Sequence, residues 1–160
     1  MATSTNTKKR STTSSLPRVA ANELGKLPPQ ALELEESVLG ALLIEKDAFA
    51  TIADLLRPES FYSALHSIIF EAIRALAAKD APIDILSVVE QLKFTGNLEK
   101  AGGVVYLSEL TRRVASAAHL RYHAQIVAQK STARDLISMA CQIEEKGYDE
   151  TQDIDVLMQE

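Results

Sequence analysis

Ser116 to Tyr148 reads SAAHLRYHAQIVAQKSTARDLISMACQIEEKGY, a stretch without proline whose one glycine, Gly147, stands beside its end. Ser116 is an N-cap residue type and Gly147 a helix-stop type, so the pattern predicts a single helix from one to the other. At ~1.5 Å per residue that helix is roughly 45 Å long. A compact domain of about 130 residues has a radius of gyration near 14 Å and is roughly 36 Å across. The helix is therefore expected to overhang its own globule. Leu120, Ala124 and Val127, with Ile126 beside them, mark one apolar face in its first half. Ala133, Leu136, Ile137, Ala140 and Ile143 mark one in its second. Between them lies the polar patch Gln129-Lys130-Ser131-Thr132. A break at Ser131, leaving an ordinary core helix, is the competing reading. The overhanging stripe needs a cover: a returning helix, a second copy of the chain, or another protein.

The remaining residues fit an all-α class. The chain has 160 residues, enough for one domain with its own core. Valine and isoleucine recur at helical spacing and nowhere alternate as in a strand. The net charge of −5 is uneven: Lys8, Lys9, Arg10, Arg18 and Lys26 stand against Glu23 in residues 1–27, a net of +4, which leaves −9 for the rest. An acidic globule repels a phosphate backbone, so the folded part is expected to bind no nucleic acid directly, while basic protein surfaces suit it. The single cysteine, Cys141, excludes an intramolecular disulfide, reads as a small buried apolar residue and suits a reducing compartment. No apolar run is long enough to span a membrane, and no apolar signal core follows Met1. The expectation is a cytoplasmic protein with no membrane contact.

Residues 1–27, rich in serine and threonine, read as a disordered basic tail; Lys8-Lys9-Arg10 in such a tail is usually solvated charge. Residues 28–113 read as a helical globule of about five helices, with 114–160, the long helix and the start of a hairpin return, part of the same domain. Pro28-Pro29-Gln30 leads into helix one, ending near Ile44, with Leu34, Val38, Ala41 and Leu42 on one flank and Leu39 and Leu43 on the other. Gly40 marks close packing of another helix. Asp47 is the expected cap of helix two, with Phe49, Ile52, Ala53 and Leu56 inward, stopped by Arg57-Pro58. Phe61, Leu65, Ile68, Ile69, Ala72, Ile73 and Leu76 make helix three the expected central core helix. Asp84 caps helix four, which buries Ile85, Val88, Val89 and Leu92 and stops at Gly96. Asn97 to Gly103 is loop, and helix five carries Val104, Leu107 and Leu110. After Tyr148 a new helix capped by Asp153 begins, with Ile154, Leu157 and Met158 on one face.

Chemistry-bearing motifs are lacking. The six glycines form no phosphate-cradling loop, and no Ser/His/Asp set has a supporting motif. No catalytic, cofactor-binding or metal-binding residue is assigned. His119 and His123 lie on one helix face, but no third ligand stands at a metal-site spacing. His66 reads as a packed or capping histidine, and Gly102-Gly103 as a turn that starts a helix.

From Pro28 onward the order of short motifs resembles the N-terminal domain of the bacterial replicative DNA helicase of the DnaB type. The residues that carry the resemblance are Pro28-Pro29-Gln30, Glu33, Glu36-Ser37-Val38-Leu39-Gly40 and Leu43, then Phe61-Tyr62, His66 and Ile69-Phe70. Pro82-Ile83-Asp84, Gly96, Leu98-Glu99, Gly102-Gly103 and Tyr106-Leu107 follow. Ser116-Ala117-Ala118, Tyr122-His123, Ile126-Val127, Arg134, Leu136-Ile137 and Tyr148-Asp149 complete the series. Ala115 stands where the family usually has proline and His119 where it often has asparagine, both at the start of the long helix.

The resemblance implies a helical globule followed by a helical hairpin whose second arm is truncated here. It implies a non-catalytic domain that pairs subunits in the collar of a hexameric helicase and docks primase and, in some lineages, a helicase loader during DNA replication. ATP, Mg and the motor would belong to a C-terminal domain absent from this chain. Pairing is expected through Leu136, Ile137, Ala140, Ile143, Ile154 and Leu157. Primase docking is expected around Tyr106 and Ile137, where helix five meets the long helix. The helicase-binding domain of a primase is the alternative; Pro28-Pro29-Gln30 and the Gly102-Gly103 to Tyr106-Leu107 segment favour the helicase side. An enzyme with an unrecognised site is the third possibility.

Overall fold

A computed structural model describes residues 26–114 and 116–148. The readings made for residues 1–25 and for the returning arm with Ile154 and Leu157 lie outside the described residues. The described residues contain helices and turns and no strand.

Helix α1 (Leu32–Ile44) forms the hub. Val38 to Leu43 are all buried, because its two apolar flanks present two faces to the core. It packs on α2 (Ala64–Ala77), α4 (Gly103–Arg113) and α5 (Leu120–Tyr148). The helix expected at the centre, α2, instead packs mainly on α1, on α3 (Ile85–Phe94) and on a 3-10 turn at Pro58–Ser60. Its stripe is clean but single: Ile69, Phe70, Ile73 and Leu76 face inward, while Glu71 and Arg74 leave its other side in water.

The second helix of the sequence reading is not formed. A 3-10 turn covers Ala48–Thr51 and irregular turns continue toward Pro58. Asp47 adopts φ 64° and makes no side-chain cap. So short a segment returns little for the cost of nucleating a helix. The Thr51 hydroxyl instead bonds the Ala48 carbonyl at 2.8 Å. Ile52 and Leu56 still reach the core as expected, and Ala53 is exposed.

Elsewhere local chemistry and structure agree. Asp84 caps α3, accepting from the Ser87 amide at 2.8 Å. That bond, helped by the Ser87 hydroxyl, holds the Asp84 carboxyl below its usual range. Gly96 (φ 69°) follows the helix end, and Gly102 (φ 88°) and Gly103 (φ 72°) turn the chain into α4 through a region closed to most side chains. Leu107 and Leu110 of α4 are buried, but Val104 faces out at 47% exposure. Gly40 lies where α1 and α4 cross: a Cβ there would stand 2.3 Å from the Leu110 carbonyl oxygen.

Helix α5 is unbroken through the polar patch at Gln129–Thr132. It starts three residues later than expected, because Ser116 serves a turn, its hydroxyl accepting from the Ala118 amide at 3.1 Å, and the first helical residue is Leu120. Cys141 is half-buried rather than buried.

Candidate assembly and docking surface

The long arm leaves the globule after its first turns. Leu120, Ala124 and Val127 are its only buried residues among those described. Leu136, Met139 and Ile143 are 60%, 57% and 58% exposed, Ala140 is exposed and Ile137 is half-buried. At ~1.5 Å per residue the run from Leu136 to Tyr148 extends roughly 18 Å. Steps of three and four place Leu136, Met139, Ala140 and Ile143 on one side, an apolar strip left exposed among the described residues. Met139 was not foreseen, although its spacing from Leu136 and Ile143 is the signal that finds it.

Polar fasteners hold the root of the arm. Ser37 of α1 and His123 Nδ1 lie 3.2 Å apart. Arg121 donates to the Thr51 carbonyl and pairs with Asp54 at 3.3 Å. Arg134 donates to two backbone carbonyls, Pro29 and Ser60, each at 2.8 Å, with its guanidinium 5.7 Å from the centre of the Tyr62 ring. Arg134 thereby ties the arm both to the segment before α1 and to the Pro58–Ser60 turn. His119 and His123 rings are 6.1 Å apart, and among the described residues no group of three or more His, Cys, Asp or Glu is placed to hold a metal.

Tyr106 stands in a polar chain beneath the surface. Glu35 of α1 is 1% exposed and His66 of α2 is 3% exposed, with Glu35 Oε2 2.6 Å from His66 Nδ1. A carboxylate only accepts, so the Nδ1 hydrogen points at Glu35. Glu35 also accepts from the Tyr62 amide at 2.7 Å and the Ser63 amide at 3.3 Å. Ser63 itself gives α2 no side-chain cap, and Glu35 binds the two amides just before the helix. The Tyr106 hydroxyl lies 2.7 Å from His66 Nε2 and 3.4 Å from Glu36 Oε1, and its one hydrogen serves one of the two at a time. Glu36 pairs in turn with Arg113 at the end of α4. Burial first, then the Glu36 charge, pushes the Tyr106 phenol up to about 12.

Tyr106 is thus half-buried and fastened through its hydroxyl to α1 and α2. α4 packs mainly on α1 and α3, whereas α5 packs mainly on α1 and the Pro58–Ser60 turn. Tyr106 lies on α4 and Ile137 on α5, and both helices pack on α1. Leu136, Ile137, Ala140 and Ile143, by contrast, lie together along the arm.

Comparison with known proteins follows this geometry. Residues 27–129 match the family model described as the DnaB-like helicase N terminal domain. A replicative DNA helicase DnaB of Rhodothermus marinus is 46% identical over 138 residues, which is 86% of this chain and 15% of that protein. The crystal structure of the N-terminal domain of DnaB helicase from Mycobacterium tuberculosis superposes with a TM-score of 0.79 at 36% identity, covering 83% of this chain and 94% of that one. A structure of a DnaB-like replicative helicase and its interactions with primase superposes with a TM-score of 0.64 at 32% identity, covering 72% of this chain and 27% of that one. The chain thus spans a small part of the full-length relatives and nearly all of the isolated domain. It belongs to the DnaB-like helicase N-terminal domain family.

Proposed function

We propose that the chain is a non-catalytic assembly and docking domain of a replicative DNA helicase, pairing with further copies through the exposed side of α5 and docking primase during DNA replication. The observation that carries this reading is the uncovered strip of Leu136, Met139, Ala140 and Ile143 on an arm whose root is firmly held. Covering one leucine contributes roughly 1.5–3 kcal/mol, so a paired strip can offset part of the cost of association. The similar helicase whose structure describes interactions with primase supports the docking half of the reading. Motor activity, ATP and Mg belong in this reading to a part of the helicase outside the chain, and a loader is a further partner of the same domain.

Sedimentation over a concentration series tests the pairing. The chain should show reversible association that Ile143→Asp weakens at least about tenfold, the loss of one anchor of ~1.4 kcal/mol. A strictly monomeric chain at millimolar concentration would remove the argument. Calorimetry with the C-terminal domain of a cognate primase tests docking, using Ile137→Asp and a Tyr106 variant beside melting curves. Unchanged primase affinity in folded variants would place docking elsewhere.

A further inference from the structure

A groove of about 630 Å³ opens at the end of α1 opposite the Arg134 fastening, between the Ala48–Thr51 turn and the loop that leads into α3. Its floor is apolar. Ile44 is 43% exposed there, beside half-buried Phe49 and Ile83 and exposed Pro82. Its rim is acidic: Glu45, Asp47, Asp80 and Asp84 line it against a single lysine, Lys46. Asp47 and Asp80 are also the two non-glycine residues described with positive φ, 64° and 52°, so tight turns set the rim on both sides. Asp84 keeps its charge, being held below the usual carboxylate range by the Ser87 amide.

An apolar floor with an acidic rim fits a short peptide that carries aliphatic anchors next to basic residues. The chain contains one. Residues 1–27 hold a net charge of +4, and within them Leu16-Pro17-Arg18-Val19 places two aliphatic anchors around an arginine. Proline in the middle limits the conformational freedom lost on docking. The reach is sufficient: Leu16 to Lys26 spans at most roughly 35 Å extended, whereas α1 separates Ala31 from the groove by ~20 Å.

We propose that this groove binds the chain's own N-terminal segment, centred on Leu16-Pro17-Arg18-Val19, from the same or a neighbouring copy. Leu16 and Val19 rest on Ile44, Phe49 and Ile83, and Arg18 faces the rim carboxylates. The site is independent of the α5 strip, so its failure leaves the proposed function untouched, and the reverse.

The test uses the full chain with Cys141→Ser and a nitroxide on Ser15→Cys, read by relaxation of backbone amide signals. Broadening should concentrate on Ile44, Phe49 and Ile83. It should fall at least about tenfold with Leu16→Asp/Val19→Asp, the loss expected for buried anchors. Glu45→Gln/Asp80→Asn, two exposed positions, should weaken it and reduce its dependence on salt, since exposed charges are screened within ~10 Å at 0.1 M salt. Ile44→Asp should abolish it in a chain that melts as the parent does. Mixing labelled with unlabelled isotope-enriched chains assigns the contact to one copy or two, and either result supports the proposal. Diffuse broadening with no preference for the groove, or broadening indifferent to these variants, overturns it. So does equal competition by a sequence-scrambled peptide of residues 8–22, which would make the groove a general site for basic peptides.

Discussion

Glu35→Ala should be among the most damaging single changes to the described domain. The carboxylate accepts three hydrogen bonds in a place almost closed to water: from the Tyr62 and Ser63 amides and from His66. Removing it leaves two backbone donors and a ring donor without their acceptor, and each unsatisfied buried group costs about 1–3 kcal/mol. These costs overlap, and breaking a buried pair by deleting one partner typically costs roughly 3–5 kcal/mol in total. At ~4 °C per kcal/mol for a domain of this size, the melting temperature should fall by roughly 12–20 °C. Glu35→Gln should lie between, because an amide offers one acceptor oxygen and turns a donor toward donors. The control is Glu90→Ala, which removes an exposed pair with Lys93 and should change stability by less than about 1 kcal/mol. Urea and thermal unfolding, with a double-mutant cycle through His66→Ala, give the coupling energy. A loss below about 1 kcal/mol for Glu35→Ala, or additivity with His66→Ala, would refute the claim that this pair ties α1 to the start of α2.

Gly40→Ala should destabilise by about 1–3 kcal/mol in denaturant unfolding: the new Cβ meets the Leu110 carbonyl oxygen and Val114, and this overpacking outweighs the ~1 kcal/mol that alanine gains over glycine in a helix. Asp84→Ala should cost about 1 kcal/mol near neutral pH through the lost cap of α3. Because folding depresses the Asp84 pKa, that contribution is present above the ordinary carboxylate pKa and lost as pH falls through the depressed one, so acid unfolding of parent and variant should converge. Tyr106 is displaced the other way, to about 12, so the fold favours the neutral phenol. Its contribution should be complete below pH ~10 and fade as pH rises through the raised value, and Tyr106→Phe should remove the latest step in a tyrosinate absorbance titration.

The class and the order of the helices were legible because each helical stripe is local. Asp84 with Ser87, Gly96 and Gly102-Gly103 announce helix ends through chemistry confined to a few residues. Gly40 announced a close approach because glycine inside an apolar helix has few other uses. The Ala48–Thr51 region misled because Phe49, Ile52 and Leu56 have helical spacing, yet two irregular turns bury Ile52 and Leu56 just as well. The start of α5 moved because Ser116 suits an ST turn as readily as a cap. Glu35 was overlooked, although it stands three and four residues before Val38 and Leu39, on the buried stripe of α1. His66 holds the same place before Ile69 and Phe70 on α2. A carboxylate and an imidazole on two apolar stripes is the pattern of a buried pair, but only the packing of α1 on α2 shows that they meet. Arg134 carried no comparable signal, since its partners are backbone carbonyls far away in sequence.

The way α5 is held explains how an exposed arm can present a defined surface. Apolar burial secures only its first turns, and Arg134 attaches it to two backbone carbonyls beyond them. Backbone carbonyls are fixed by the chain path, so the guanidinium fork is held by parts of the fold that do not depend on rotamers. Charge-assisted bonds of this kind contribute about 1.5–3 kcal/mol each, comparable with the burial of a leucine side chain. Ile137 follows Arg134 by one turn, and Leu136, Met139, Ala140 and Ile143 then continue on an unbroken helix. A helix transmits the orientation of its root, so the strip is set in direction before any partner arrives. In the proposed pairing less conformational freedom would then be lost on association, and a modest apolar strip would suffice where a loosely attached arm would need a larger one.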